Sequence, residues 1–296
     1  MPESKKPLSF AIFGNTYQAE KAAPITTVLR SILNIGGHIV IEESFAAFLY
    51  QIADLSSVPH STASNADINA DFAISIGGDG TFLNTAKLVG HRPMPIIGIN
   101  TGRLGFISDL MPQDTDSFFL CLKDGKYQIE ERTLLQVDTE GRHLETPPVA
   151  LNEIAVLKHD NSSMISIQAE VDDAYLATYM ADGLIVSTPT GSTGYSLSVG
   201  GPIISPNSQT VVLSPIAAHS LSVRPVVLNN DVHITLRVHS RSHNYMIAID
   251  GRSESLPNET ALHISTAPYS LKIVRSLHHS FFDTLRNKLL WGADKR

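Results

Sequence analysis

Two glycine-rich stretches hold the residue types able to do chemistry. In Ile74-Ser-Ile-Gly-Gly-Asp-Gly-Thr81 an apolar run ends in glycines around one carboxylate, Asp79. About a hundred residues later, Leu184 to Val186 empties into a loop of Ser, Thr and Gly that runs on to Pro202. Glycine lets backbone amides approach a ligand closely, and hydroxyls add donors and acceptors, so both loops suit a polar, phosphorylated molecule. An Asp-Gly pair alone is commonly a plain turn. Here a strand pattern precedes the acid and a helix start follows it, which would set Asp79 at the mouth of a parallel sheet, facing bound phosphates. There it either takes a proton from an attacking hydroxyl or holds a magnesium ion on the phosphates, and the sequence leaves both roles open.

Absences narrow the chemistry. The chain has no Gly-x-x-x-x-Gly-Lys-Ser/Thr loop, no His-Arg-Asp loop and no Gly-x-Gly-x-x-Gly after its first strand, and Gly191-Ser-Thr-Gly194 is not a Gly-x-Ser-x-Gly elbow. The twelve histidines show no metal-ligand spacing, so no structural metal is expected, and His278-His279 reads as a solvated helix start.

The elements that must position these loops follow from apolar periodicity. Leu8 to Phe13, His38 to Glu42, Phe72 to Ile76 and Pro95 to Ile99 read as strands, with helices at Ala22 to Leu33, Phe45 to Ala53 and Thr81 to Val89. Strands separated by helices imply a mainly parallel sheet in an α/β domain spanning 1–126. Beyond Gly125 the helical period gives way to alternation, clearest in Met164 to Asp172 and His233 to Val238. Ile129 to Val137, Val149 to Val156, Tyr245 to Asp250 and Leu271 to Arg275 join them in an expected all-β, sandwich-like domain over 127–279. Helical spacing returns through Phe281, Leu285 and Leu289, so 280–296 is expected to pack back on the first domain.

Composition bounds the function. At 296 residues, 43% hydrophobic, 17% charged and mean hydropathy +0.03, the chain reads as a soluble globular protein without a membrane span. A net charge of −7 argues against sequence-independent nucleic-acid binding, which needs a basic face. The first residues do not form a secretory signal, and one cysteine excludes an internal disulfide, so a cytoplasmic location is expected. Cys121, within Phe118-Phe-Leu-Cys-Leu122, is expected in the core.

Gly77-Gly-Asp-Gly-Thr81, Asn152-Glu-Ile-Ala-Val156 and the run from Asp182 to Pro202 together resemble the NAD kinase family, with further matches at Asn100 to Ile107 and Ser222-Val-Arg-Pro225. The resemblance implies transfer of the γ-phosphoryl of ATP, carried with magnesium or another divalent cation, to the 2′-hydroxyl of the adenosine ribose of NAD. It makes Asp79 the proton acceptor, with Gly80 against the nucleotide and Phe106 packing on adenine. Asn152 and Glu153 match the pair that holds the substrate, and Asp182 an acid at the nicotinamide end. Thr190 and Thr193, Gly194, Tyr195, Ser196, Leu197 and Ser198 match the loop that wraps the dinucleotide, so the site is expected where the two domains meet. The resemblance also implies a homodimer or homotetramer. Two departures stand out: Met180 occupies a place where the family often has Arg, and Gly194 one where Ala is usual. Arg252 is a candidate to supply the missing charge. A lipid or sugar kinase sharing the glycine-rich acid loop, or a non-catalytic NAD(P)-sensing module, are the alternatives.

Overall fold

The computed structural model describes residues 6–17, 19–102, 105–159 and 163–292. The chain divides into two compact units, 1–131 with 272–296, and 132–271.

The first unit alternates strand and helix: β1 (Ser9–Gly14), α1 (Ala22–Asn34), β2 (His38–Glu42), α2 (Glu43–Ile52), β3 (Ser61–Ala63), β4 (Phe72–Ile76), α3 (Asp79–Val89), β5 (Ile96–Ile99), α4 (Thr115–Lys123) and β6 (Tyr127–Arg132). The second unit holds β7 (Leu135–Thr139), β8 (Val149–Ala150), β9 (Glu153–Lys158), β10 (Ile165–Val171), β11 (Ala174–Ala181), β12 (Gly183–Ser187), the one-turn α5 (Tyr195–Ser198), β13 (Thr210–Ile216), β14 (Val226–Asn229), β15 (Ile234–His239), β16 (Asn244–Ile249), β17 (Arg252–Pro257) and β18 (Leu262–Thr266). The chain then returns to the first unit through β19 (Leu271–Ser276) and α6 (Phe281–Leu289).

One seven-stranded sheet, ordered β3-β2-β1-β4-β5-β19-β6, forms the first unit, and its β1–β2, β1–β4, β2–β3, β4–β5 and β5–β19 pairs are parallel. Its helices cover the sheet with apolar stripes: α1 buries Ile25, Val28, Leu29 and Ile32 against β1 and β2 residues such as Phe10 and Ile41. β4 is buried at all five positions, as a strand covered on both faces must be. The second unit stacks two six-stranded antiparallel sheets, β11-β10-β15-β18-β7-β8 and β14-β13-β12-β9-β16-β17. Alternate residues of both sheets, among them Ile167, Leu236, Val156 and Leu184, fill one shared core, so the expected α/β plus β-sandwich architecture is the fold.

Four expectations need correction. Of the run Ile129 to Val137, only the part in β6 leaves the sandwich, since Leu135 to Val137 lie in β7; β6 and, from the run at Leu271, β19 complete the sheet of the first unit instead, against expected boundaries at 126 and 279. The adjacent, buried Ile273 and Val274 mark a strand covered on both faces, which alternation does not describe. Cys121 is exposed, because α4 buries Thr115, Phe118, Phe119 and Leu122, and position 121 falls on the opposite face of that turn. His279 is not solvated: its Nδ1 lies 2.6 Å from Asp109 Oδ2. Of the expected C-terminal return, α6 buries Thr284 and Leu285, and 293–296 lie outside the described residues.

Candidate functional site

Asp79 stands where β4 ends and α3 begins, with Gly78 as the N-cap. Unpaired amides of a first helical turn favour an anion at that place. The carboxylate is also met by the turn after β5: Oδ2 accepts the Phe106 N–H at 2.8 Å, and Oδ1 accepts those of Ile107 at 3.1 Å and Ser108 at 3.0 Å. Asn100, fully buried, staples that turn through its Nδ2 to the Ser108 carbonyl at 3.1 Å, and its own N–H donates to the Leu110 carbonyl at 2.7 Å. A carboxylate has about four acceptor positions, so among the described residues these three bonds leave one, on Oδ2, for a ligand hydroxyl. Asp79 and Phe106 are half-buried and Gly80 is exposed. Residues 103 and 104, inside the resemblance at Asn100 to Ile107, lie outside the described residues.

The second unit builds a different acid site, and it rests on a residue the sequence did not single out. The Asp250 carboxylate accepts the N–H groups of Leu151 at 2.7 Å, Asn152 at 2.8 Å and Glu153 at 3.1 Å. Asp250 sits at φ +47, a left-handed corner that Asp tolerates better than most residues. This corner fixes the Asn152-Glu153 pair at the start of β9. Burial pushes the Glu153 carboxyl up to about 7, with the nearby Asp250 adding to the rise and a backbone hydrogen bond from Tyr195 opposing it. Burial likewise raises Asp250, against its three amide bonds and Arg252. Glu153 Oε2 and Asn152 Oδ1 are buried with no hydrogen-bond partner among the described residues, which is costly unless a ligand supplies one.

The loop after β12 closes over that pair. Thr188 N–H donates to the Asn152 carbonyl at 2.9 Å and its hydroxyl to the Leu151 carbonyl at 2.6 Å. A Cβ at Gly191 would lie 2.0 Å from the Asn152 carbonyl oxygen, so only glycine allows this approach. A Cβ at Gly194 would lie 3.0 Å from Glu153 Oε2 and 3.5 Å from Asn152 Nδ2, which puts the loop directly on the pair. Tyr195 is exposed and Leu197 half-buried, whereas the hydroxyls of Thr193 and Ser198 donate back to Thr190 and Tyr195 carbonyls, and Ser196 pairs with Ser214 at 2.9 Å. Thr190 is buried.

Asp182 is not part of that cluster. β9 and β12 pair with Glu153 opposite Ser187 and Leu157 opposite Gly183, so Asp182 precedes β12 at its far end. Five strand residues at about 3.4 Å each separate the two acids by roughly 17 Å. Asp182 Oδ1 meets Lys158 Nζ at 2.8 Å. Arg252 donates from Nε to the Ile249 carbonyl at 3.1 Å, beside Asp250, and Met180 is exposed on β11. Asp250 and Lys158 gave no sequence signal except the Asp250-Gly251 turn, because their partners lie far away in the chain. Among the described residues no three His, Cys, Asp or Glu side chains group as metal ligands.

A glycine-flanked acid at the carboxyl end of a parallel sheet, followed by an all-β unit with its own buried acid–amide corner, defines a two-unit, ligand-binding α/β plus β-sandwich class of protein. Residues 11–127 match the model of the ATP-NAD kinase N-terminal domain, and residues 151–276 that of the ATP-NAD kinase C-terminal domain. The chain is 50% identical over 289 residues to an NAD kinase of Bacteroides fragilis strain YCH46, covering 98% of this chain and 100% of the relative. It is 43% identical over 286 residues to an NAD kinase of Porphyromonas gingivalis strain ATCC 33277, covering 97% and 99%. The chain belongs to the NAD kinase family. Its fold matches that of yeast NADH kinase complexed with NADH (TM-score 0.88, 21% identity, 100% of this chain and 94% of that one). It also matches an NAD kinase from Archaeoglobus fulgidus in complex with ATP (TM-score 0.71, 24% identity, 96% and 99%).

Proposed function

We propose that the chain transfers the γ-phosphoryl group of ATP to the 2′-hydroxyl of the adenosine ribose of NAD. The observation that carries this reading is the Asp79 carboxylate, held by three backbone amides with, among the described residues, one acceptor position left on Oδ2. A ribose hydroxyl placed there gives its proton to Oδ2 as its oxygen bonds to the γ-phosphorus. The bond from that phosphorus to the bridging oxygen breaks, and ADP leaves with the electron pair. Little covalent chemistry falls to the protein in phosphoryl transfer; it positions the groups and stabilises charge.

Glu153 and Asn152, each with an unpartnered buried oxygen, fit the hydroxyl and N–H groups of an adenosine moiety. The separation between Glu153 and Asp182 suits the two ends of an extended dinucleotide, a feature for which a lipid or sugar kinase has no use. Gly80, Phe106, Thr190 and the stretch from Thr193 to Ser198 complete the proposed nucleotide contacts. Arg252 acts in this reading through Asp250, beside which its charge lies. The divalent cation arrives with ATP as part of the substrate, held mainly by phosphates and water. A homo-oligomer in the cytoplasm is part of the same proposal; no helix among the described residues is long and apolar enough to cross a membrane.

The test is to incubate the purified protein with magnesium, ATP and NAD and to measure NADP, then to repeat with Asp79→Asn. NADP from the parent and a loss of roughly a hundredfold or more in the variant is expected, the scale of a general base. No NADP from the parent sinks the reading.

A further inference from the structure

We propose that the C-terminal segment, from Arg275 in β19 through His279 into α6, is a clasp that sets the position of Asp79 by gripping the turn that holds it. The proposal rests on the kinase reading above. Ile107 is held from both sides: its N–H goes to Asp79 Oδ1 at 3.1 Å, and its carbonyl accepts Arg275 Nη1 at 2.8 Å. The same guanidinium pairs with Asp109, one residue past Ser108, and its Nε reaches Glu130 Oε2 at 3.4 Å. Asp109 is gripped again by His279 Nδ1 at 2.6 Å. Farther along α6, Lys288 Nζ stands 6.0 Å from the centre of the Phe106 ring, whose backbone N–H is the third bond to Asp79. Arg275 and His279 therefore bond to Ile107 and Asp109, and Lys288 stands over Phe106, all within the four residues around the amides that fix the acid.

Arg275 is 2% exposed. Burying a guanidinium among carboxylates adds little net stability compared with apolar packing, so stability alone is a poor reason to place it there. Its forked donors can hold a carbonyl and a carboxylate in one geometry, which a point charge cannot. Any slip of this turn moves the carboxylate that must meet a hydroxyl at hydrogen-bond distance, and small misplacements are expensive in rate. Arg275, His279 and Lys288 are thus positioning residues, acting through residues 106–109.

Arg275→Lys keeps the charge and removes the fork; His279→Leu removes the second grip, and His279→Asn restores a donor near Nδ1. Each is compared with the parent and with Asp79→Asn for kcat, for KM of ATP and NAD, and for cooperative thermal unfolding. The clasp predicts that Arg275→Lys loses about tenfold or more in kcat and His279→Leu about threefold or more, with both KM values within about threefold and His279→Asn close to the parent. A folded Arg275→Lys with kcat within about twofold of the parent overturns it. So does a loss carried by KM, or a His279→Asn as impaired as His279→Leu. Should Arg275→Lys fail to fold, His279→Leu decides by the same limits. A parent that makes no NADP overturns the kinase reading and the clasp with it, whereas an active parent with an inactive Asp79→Asn and unaffected clasp variants overturns the clasp alone.

Discussion

A Cβ on Gly105 would lie 2.1 Å from Asp79 Oδ1 and 2.9 Å from Oδ2, so the acid and the turn that holds it touch at a place open only to glycine. The close approach is what lets three consecutive amides reach one carboxylate. Gly105→Ala must push either the carboxylate or the turn aside. We expect kcat to fall about a hundredfold, as for other ångström-scale misplacements, with a stability loss of about 1–3 kcal/mol from overpacking. Steady-state kinetics and denaturant unfolding check this, and a kcat near that of the parent would show that the contact has no catalytic consequence.

Asp250 does for the Asn152-Glu153 pair what the 106–108 turn does for Asp79, with the roles of acid and backbone exchanged. Asp250→Asn turns one acceptor oxygen into a donor, leaving an amide among Leu151, Asn152 and Glu153 without its charged partner. Such a bond contributes about 1.5–3 kcal/mol, so the KM for NAD should rise about tenfold or more while the KM for ATP changes little. Equal rises for the two substrates, measured on a variant that still unfolds cooperatively, would count against Asp250 as the support of the dinucleotide pair.

Local order was legible in the sequence; long-range closure was not. The continuous apolar run Phe72 to Ile76, the glycines after it and the 3.6-residue period that follows were enough to place Asp79 between a buried strand and a helix. Nothing in a pattern of period two says which sheet a strand joins, and so β6 and β19 were read into the sandwich although they finish the sheet of the first unit. The bonds that fix the acids are closed across the chain: Asp79 to Ser108 spans 29 positions, Asp250 to Leu151 spans 99, and Arg275 to Ile107 spans 168. Such partners are selected by sheet order, which single-sequence periodicity does not contain. His279 looked like a surface residue for the same reason, since its carboxylate partner is Asp109.

Cys121 lies on the outer face of α4 and is the only cysteine of the chain. An aromatic disulfide reagent should therefore react with one thiol in the folded protein at the rate seen after unfolding, within about an order of magnitude, because access does not limit it. NADP formation should survive the modification. A thiol that reacts only on unfolding would place position 121 inside the core after all.

Glu153 makes the stability of the second unit depend on pH. Its carboxyl titrates at about 7 in the folded chain against an ordinary 4.5, because burial, and then Asp250, disfavour the anion. Between those values the folded state holds a proton that the unfolded state has released, so stability falls as pH rises through this window and levels off above about 7. The full cost of ionising Glu153 is about 3 kcal/mol at 1.36 kcal/mol per unit. Glu153→Gln keeps the shape, stays neutral and escapes that cost. The variant should match the parent near pH 5 and exceed it at pH 8, by about 2–4 °C in Tm for each kcal/mol recovered in a unit of this size. Taking the difference between variant and parent at each pH cancels most of the titration of Asp250 and of the other acids. A difference in Tm that is the same at pH 5 and pH 8 would mean that Glu153 is ionised throughout, and that the corner made by Asp250 holds an ordinary carboxylate.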